Sequence, residues 1–482
     1  MVCSTCKFCY DERWIRSGCR RPLGLGKRCC GRLLCPTDVL SPRPSVPLRS
    51  QKSSASSSQS VPSSSSVRRD PTNGVSSQAE FKESSDIVLD GICAAANVSP
   101  LPPFNESLIF SSVMNEIVTL QVSTISHIPR KVRPLLAQVF TSELRHARLD
   151  GLLGYIRFSL LPKVILRSPL RGGRKKRYVV EALISKRLHR WQEGDLVSLW
   201  EEARSEAKCK LTNMDSFPIS KVNAGRALRY AREGRYSDAM RALGAAGCAS
   251  HDNTEALKNL VSRHPQHPLP VTPADYVQPS PLSVDSEAVL SALKSFPRGT
   301  SPGGTQLRAQ HLLDAVAGST TPAAITCLIE VTCWMNMLVA GRVDSRVAPW
   351  LVGAPLIALH KKDGSFRPIA VGEVIRRLAS RLCCRAVRLK LPDIFLPYKQ
   401  VGVGIKGGLE AAVHAVRGFL NEHGQKEDLC CLKVDMLNAF NECDRTTFLR
   451  RLNKGLPQLE AWVHWCYSCS DELCFGPHQL IA

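Results

Sequence analysis

Ala354-Pro-Leu-Ile-Ala-Leu-His-Lys-Lys-Asp-Gly-Ser-Phe-Arg-Pro-Ile-Ala-Val371 is the stretch on which the fold reading turns. Two short apolar runs, Ala354 to Leu359 and Phe366 to Val371, flank Asp363-Gly364, a dipeptide suited to the positive φ of a hairpin turn. The pattern predicts an antiparallel hairpin with Lys361 and Lys362 on one arm and Arg367 on the other. Opposed cations on a rigid ladder suit a triphosphate, although charged hairpin tips also serve solubility alone.

Downstream, Glu373 to Lys390 reads as a helix with Val374, Ile375, Leu378, Leu382, Ala386 and Leu389 inward. Arg377, Arg381, Arg385 and Arg388 decorate its outer surface. Nine basic and two acidic residues lie between Lys361 and Lys390, which suits a phosphate backbone track or a solvated helix face. Gly407-Gly408 leads into another helix with Leu409, Ala412, Val413, Val416 and Leu420 on one face, closed by Gly424. Leu429-Cys-Cys-Leu-Lys-Val-Asp435 reads as a strand ending in a carboxylate, a position from which Asp435 could hold a metal at a sheet edge or simply cap the next turn. Asp444 is then the expected cap of a helix from Arg445 to Leu452.

Upstream of the hairpin, Ser283 is the expected N-cap of a helix with Val289, Leu290, Leu293 and Phe296 on its apolar face. Pro297-Arg-Gly-Thr-Ser-Pro-Gly-Gly304 is too glycine-rich for regular structure. Gln306 to Val316 reads as a helix, and Ala323 to Leu338 as a buried one.

The whole chain has 482 residues, 44% of them apolar, with 64 Lys and Arg against 42 Asp and Glu and a formal charge of +22. That balance points to polyanionic partners, nucleic acid before anionic membrane, and the apolar share excludes a chain disordered throughout. The longest apolar stretch, Pro322 to Ala340, is interrupted by Glu330 and Asn336, so no membrane span is expected. No signal-peptide pattern opens the chain, so an intracellular protein of nucleus or cytoplasm is expected, with its cysteines mostly reduced. Residues 1–40 form a cysteine-rich basic leader in which Cys3, Cys6, Cys30 and Cys35 could make a tetrahedral Zn2+ site or remain unstructured. Residues 41–104, dominated by serine and proline, read as a disordered linker. Residues 105–265 read as a helical domain in which Leu196, Leu199, Trp200 and Ala203 form one stripe. Ala227, Leu228 and Ala231 begin a helical hairpin whose second arm is Tyr236 to Leu243, without a second copy at a fixed period. Within it, Arg171-Gly-Gly-Arg174-Lys175-Lys176-Arg177 could neutralise phosphates, act in nuclear import, or be a solvated loop. Residues 266–282 are a Pro-rich linker, and residues 283–482 carry the candidate chemistry.

Val434-Asp435-Met-Leu-Asn-Ala-Phe440-Asn resembles the first catalytic motif of reverse transcriptases, especially those of non-LTR (LINE-like) retrotransposons. Further pieces agree in order. Gly299-Thr-Ser-Pro-Gly-Gly-Thr-Gln-Leu-Arg-Ala-Gln-His-Leu resembles the motif that opens LINE-type enzymes, and Lys361-Lys-Asp-Gly-Ser-Phe-Arg367-Pro-Ile with Arg376-Arg-Leu resembles the fingers hairpin and the helix behind it. Gln400-Val-Gly-Val-Gly through Gly407-Gly-Leu-Glu410 is similar to the pattern preceding the catalytic strand. The resemblance spans about residues 283–475. It implies an incomplete α/β (α+β) right-hand polymerase domain, fingers and the start of the palm, preceded by a mainly α-helical region and a disordered N-terminus. It also implies nucleotidyl transfer by two-metal chemistry on an RNA template and DNA primer. Asp435 would ligand Mg2+, with the Met436 main-chain carbonyl as a further ligand. Lys361 and Arg367 would contact the incoming dNTP, and Phe440 would sit against its sugar.

The family's Gln-Gly-Asp-Pro loop and its aromatic-x-Asp-Asp hairpin do not occur in the sequence, which contains no Asp-Asp pair. One carboxylate cannot hold two magnesium ions for in-line displacement, so a truncated RNA-directed DNA polymerase, inactive as this chain, is expected. Its sheet is expected to leave apolar surface and a strand edge exposed around Asp435. The alternative is a non-catalytic basic RNA- or DNA-binding protein derived from such an element. A third reading is a helical scaffold built on residues 105–265.

Overall fold

The computed structural model describes residues 76–481, apart from 98–105, 170–176, 212–218, 246, 272–278, 317–320, 362, 427, 431, 471 and 477. In chain order the first helices are α1 (Ser76–Asn97), α2 (Glu106–Thr119), α3 (Arg133–Leu149), α4 (Gly151–Ile165), α5 (Arg177–Gln192) and α6 (Leu196–Leu211). They are followed by α7 (Ile219–Arg232), α8 (Tyr236–Leu243), α9 (Thr254–Ser262), α10 (Ser286–Lys294), α11 (Ala309–Val316), α12 (Pro322–Val339) and α13 (Ala348–Val352). Strands β1 (Ala354–His360) and β2 (Phe366–Ala370) precede α14 (Val374–Val387), α15 (Leu391–Phe395), α16 (Gly408–His423), α17 (Arg445–Gly455) and α18 (Glu460–Tyr467). Strands β3 (Glu472–Phe475) and β4 (His478–Ile481) complete a small mixed sheet of order β2-β1-β3-β4. Helix and strand are both present, as expected, with helix in large excess.

The centre of the helical part is α4, buried from Leu152 to Ile165. Gly151, at φ +55°, lets the chain pass from α3 into α4, and Gly154 has no side chain because a Cβ there would lie 1.9 Å from the His146 carbonyl oxygen. A helix enclosed on all sides must satisfy its polar groups internally. Arg157 donates twice to the Glu143 carboxylate, at 2.8 and 2.9 Å, and once to the Ala95 carbonyl at 2.8 Å. The indole Nε1 of Trp191 donates to the same carboxylate at 2.8 Å. Lys163 donates to the carbonyls of Ile117, Val118 and Leu120, closing the C-terminal end of α2. Burial pulls its ammonium down to about 7.

One apolar core links both sides of the Pro-rich 266–282 segment. Val88 and Ile92 of α1 and Leu199 and Trp200 of α6 belong to the same buried cluster as Leu293, Trp334, Leu378 and Trp462. The stripe Leu196, Leu199, Trp200 and Ala203 is buried as its spacing predicts. Helix α12 is long and apolar enough to cross a membrane by length and composition, and half of it is buried in this core. Its Glu330 pairs with Arg145 at 2.6 Å. A second, smaller core joins Leu356, Ala358, Phe366, Leu473 and Phe475 of the sheet to Ala256 and Leu260 of α9.

Several expectations need correction. The disordered linker expected over 41–104 contains α1, whose Val88, Ile92 and Ala95 reach the core. The serine-rich composition from Ser53 to Ser66 masks this apolar spacing further on. The cysteine-rich leader 1–40, with Cys3, Cys6, Cys30 and Cys35, lies outside the described residues. The cap of α10 is Asp285, which accepts from Ala288 N at 2.7 Å, and not Ser283. The helix expected over 373–390 ends at Val387, and of its last residues Val387 is the buried one while Ala386, and Leu389 beyond the helix, are exposed. The strand expected at Leu429–Asp435 is not formed: residues 432–436 are irregular, and the place beside β1 is taken by β3 through the pairs Ala354↔Leu473 and Pro355↔Cys474. A period-two pattern becomes a strand only where a neighbour supplies the ladder.

Exposed apolar surface is present on a helix and a coil. Leu409, Val413, Val416 and Leu420 of α16 stand in solvent, as do Leu432 and Val434. A contiguous helical stripe of this kind drives association. Replacing Leu409, Val413 and Val416 together by lysine is expected to lower light scattering several-fold at unchanged helical circular dichroism. Unchanged scattering would show that this stripe does not drive association.

Candidate nucleic-acid interface

The hairpin forms as the sequence predicts. Strands β1 and β2 pair antiparallel from Leu356↔Ala370 to His360↔Phe366. Gly364 adopts φ +80° in the turn, Lys361 N donates to Ser365 O at 2.9 Å, and the Asp363 carboxylate accepts from Ser365 N and Oγ at 3.0 and 2.7 Å. Arg367 lies opposite Leu359, and Lys361 is two residues further on, so the register sets Lys361 and Arg367 on the same outward face. Arg367 is exposed and Lys361 half-buried. Lys362 is outside the described residues.

Behind the hairpin, α14 presents a row of arginines at four- and three-residue spacing. Arg377 donates to Ser301 O at 2.5 Å, Arg381 to Ser295 Oγ at 3.3 Å and Arg385 to Ser291 Oγ at 3.0 Å. Arg381 also lies over the Phe296 ring, 4.5 Å from its centroid. These contacts fix the stems of the row against α10 and the loop after it. Among the described residues, none of Arg377, Arg381, Arg385 and Arg388 forms an ion pair, and the Nε atoms of Arg377 and Arg381 have no hydrogen-bond partner. A row of positioned guanidinium groups without ion pairs can take several phosphates at once.

What ties the segments together is Glu373, which the sequence reading passed over as a helix start. Its buried carboxylate accepts from Thr305 N and Thr305 Oγ1, both at 2.8 Å. Gly303 is required beside it, since a Cβ there would come within 2.6 Å of Glu373 Oε1. Burial raises the Glu373 carboxyl, while the Thr305 bonds and the charges of Lys163 and Arg377 oppose that rise. The glycine-rich loop and the start of α14 are thus one unit, with Arg377 reaching back to Ser301. The one signal for Glu373 in the sequence is a lone carboxylate between Gly364 and Lys390, just ahead of a helix rich in arginine.

The remaining candidates are not gathered. Asp435, Met436 and Phe440 are exposed, Phe440 at 99%. The turn after Asp435 is held from another side: Asn438 Nδ2 and Asn441 Nδ2 both donate to Arg263 O, at 3.0 and 2.6 Å. Asp444 caps α17 as expected, accepting from Thr447 N at 2.6 Å. Arg174, Lys175 and Lys176 lie outside the described residues, as does the side chain of Arg177. Among the described residues no group of three or more His, Cys, Asp or Glu converges as metal ligands. A solvent-exposed Asp435 in an irregular segment does not fit a two-magnesium centre, which needs further carboxylates beside it. No family model matches the chain, and no curated protein or solved structure does either.

Proposed function

We propose that this chain is a nucleic-acid-binding segment of the reverse-transcriptase type, related to non-LTR elements, which binds RNA or DNA without polymerising by itself. The observation that carries the reading is the arginine row of α14, anchored through Arg377 to the Gly299–Thr305 loop that precedes it in the motif order and through Arg381 and Arg385 to Ser295 and Ser291. Lys361 and Arg367, on one face of the hairpin, fit the same reading as contacts for a triphosphate or for backbone phosphates. Template RNA and primer DNA are the proposed partners in that family setting. No catalytic step is assigned to Asp435, because its surroundings do not fit the metal centre.

The expected outcome is salt-dependent binding of single-stranded RNA, unchanged within about twofold in Asp435→Ala, with no primer extension in magnesium and dNTPs. Filter binding and a primer-extension gel check both. Extension product that disappears in Asp435→Ala would overturn the non-catalytic reading, and absence of RNA binding at low salt would overturn both.

A further inference from the structure

A cleft of about 590 Å³ opens between α10, the Pro297–Thr300 turn, the start of α11 and the turn joining α7 to α8. Its size falls in the range of small-molecule sites, roughly 300–1,000 Å³. Its charged lining is Lys294, Arg298 and Arg308 against a single carboxylate, Glu233. Glu233 pairs with Arg235 at 3.5 Å and its charge also acts on Arg308, while among the described residues Lys294 and Arg298 form no ion pair. Burial and the charge of Arg229 lower the Arg308 guanidinium, and the Glu233 carboxylate opposes that drop.

The cleft is built, not incidental. Arg308 is held by its Nε donating to Thr124 Oγ1 at 3.2 Å, and its main-chain N donates to His311 Nδ1 at 3.2 Å. His311 is buried and bonds Ile125 O through Nε2 at 2.7 Å, which sets its tautomer; burial pulls it down to about 3, so it is neutral in the fold. On the other side Gly299, at φ +69°, leaves room for Arg235, whose Nη1 lies 1.9 Å from where a Cβ would be. Arg235 is itself fixed over the Tyr230 ring at 4.3 Å and paired with Asp238 at 2.8 Å. The walls between the cations are apolar, supplied by Leu293 and Phe296.

We infer that this cleft is a binding site for a phosphorylated small molecule of nucleotide size. Phosphate groups lie among Lys294, Arg298 and Arg308, the remainder of the ligand lies on the Phe296 wall, and the Glu233 carboxylate accepts from a hydroxyl or amine of the ligand. A cavity with cations in excess of its one carboxylate and an apolar wall is the complement of that chemistry. The inference does not depend on the polymerase-type reading: none of the α14 arginines lines the cleft, although Arg381 lies over the Phe296 ring.

The test uses the full chain with a fluorescent N-methylanthraniloyl derivative of ATP, followed by anisotropy. Saturable binding is expected, with competition by ATP and by pyrophosphate. The double variant Lys294→Gln/Arg298→Gln, at two exposed positions, is expected to weaken it at least tenfold with an unchanged melting temperature. Glu233→Gln is expected to tighten pyrophosphate binding a few-fold, because the only negative lining group is lost. The inference is overturned if the probe does not bind, or if the double variant binds it unchanged. It is also overturned if a short single-stranded RNA displaces the probe while ATP and pyrophosphate do not, since the cleft would then belong to a strand track. Arg388→Gln, at an exposed residue that makes none of the bonds to α10 and its loop, should leave probe binding intact while lowering the salt slope of RNA binding, which separates failure here from failure of the proposed function.

Discussion

Glu143→Ala is expected to lower the free energy of unfolding by about 3–5 kcal/mol, the cost of stranding a buried charge. Glu143 is 1% exposed and receives two bonds from Arg157 and one from the Trp191 indole. Removing the carboxylate leaves a guanidinium in the interior with the Ala95 carbonyl and the Trp191 ring, 5.7 Å away, as its remaining company. The Trp191 N–H loses its acceptor in the same stroke. Replacing both partners, Glu143→Leu with Arg157→Met, should recover much of the loss, because desolvation of both charges is then avoided. Urea denaturation followed by circular dichroism measures each step of the cycle. A loss below about 1 kcal/mol for Glu143→Ala would mean that the pair is solvated and that α4 is not the enclosed centre of the fold.

Neutralising Arg377, Arg381 and Arg385 together with glutamine should weaken single-stranded RNA binding roughly a hundredfold at about 0.1 M salt. Three phosphate contacts on a single strand contribute a slope of about 2 in log K against log salt, and at that concentration this is two decades. The slope is therefore the sharper readout, expected to fall by about 2 in the triple variant. The row also holds Ser301, Ser295 and Ser291, so a melting curve must accompany the titration. Arg388→Gln is the cleaner partner experiment: Arg388 is exposed and makes none of these bonds, and its loss should lower the slope by about 0.7 with no change in melting. If both variants bind RNA with the wild-type slope, the basic helix is a solvated surface and the proposed interface lies elsewhere.

Features of local origin were legible from the residues. The spacing of Leu196, Leu199, Trp200 and Ala203 is helical and all four are buried. Asp363-Gly364 requires one residue at positive φ, and Gly364 supplies it. Asp444 stands one residue before a helix and caps it. The candidate interface was half legible: the arginine spacing on α14 is written in the chain, but Glu373 and its grip on Thr305 are not, because that contact joins residues 68 positions apart. The cleft above α10 was not legible at all. Its charged groups come from segments that read separately as a helix end, a loop, a helix start and a helical hairpin.

The sequence by itself determined the helical spacing of segments such as α6, the cap of α17, where the hairpin turns and on which helix positive charge accumulates, because each depends on neighbours within a turn or two of backbone. Only the tertiary structure decided whether an apolar pattern is used. Val88 and Ile92 follow a serine-rich stretch yet are buried, since α4 and its neighbours offer them a surface. Leu432 and Val434 alternate like a strand yet stand in solvent, since β3 pairs with β1 and no partner strand reaches them. Burial and ladder pairing are properties of two surfaces meeting, and a chain read along its length carries only one of them at a time.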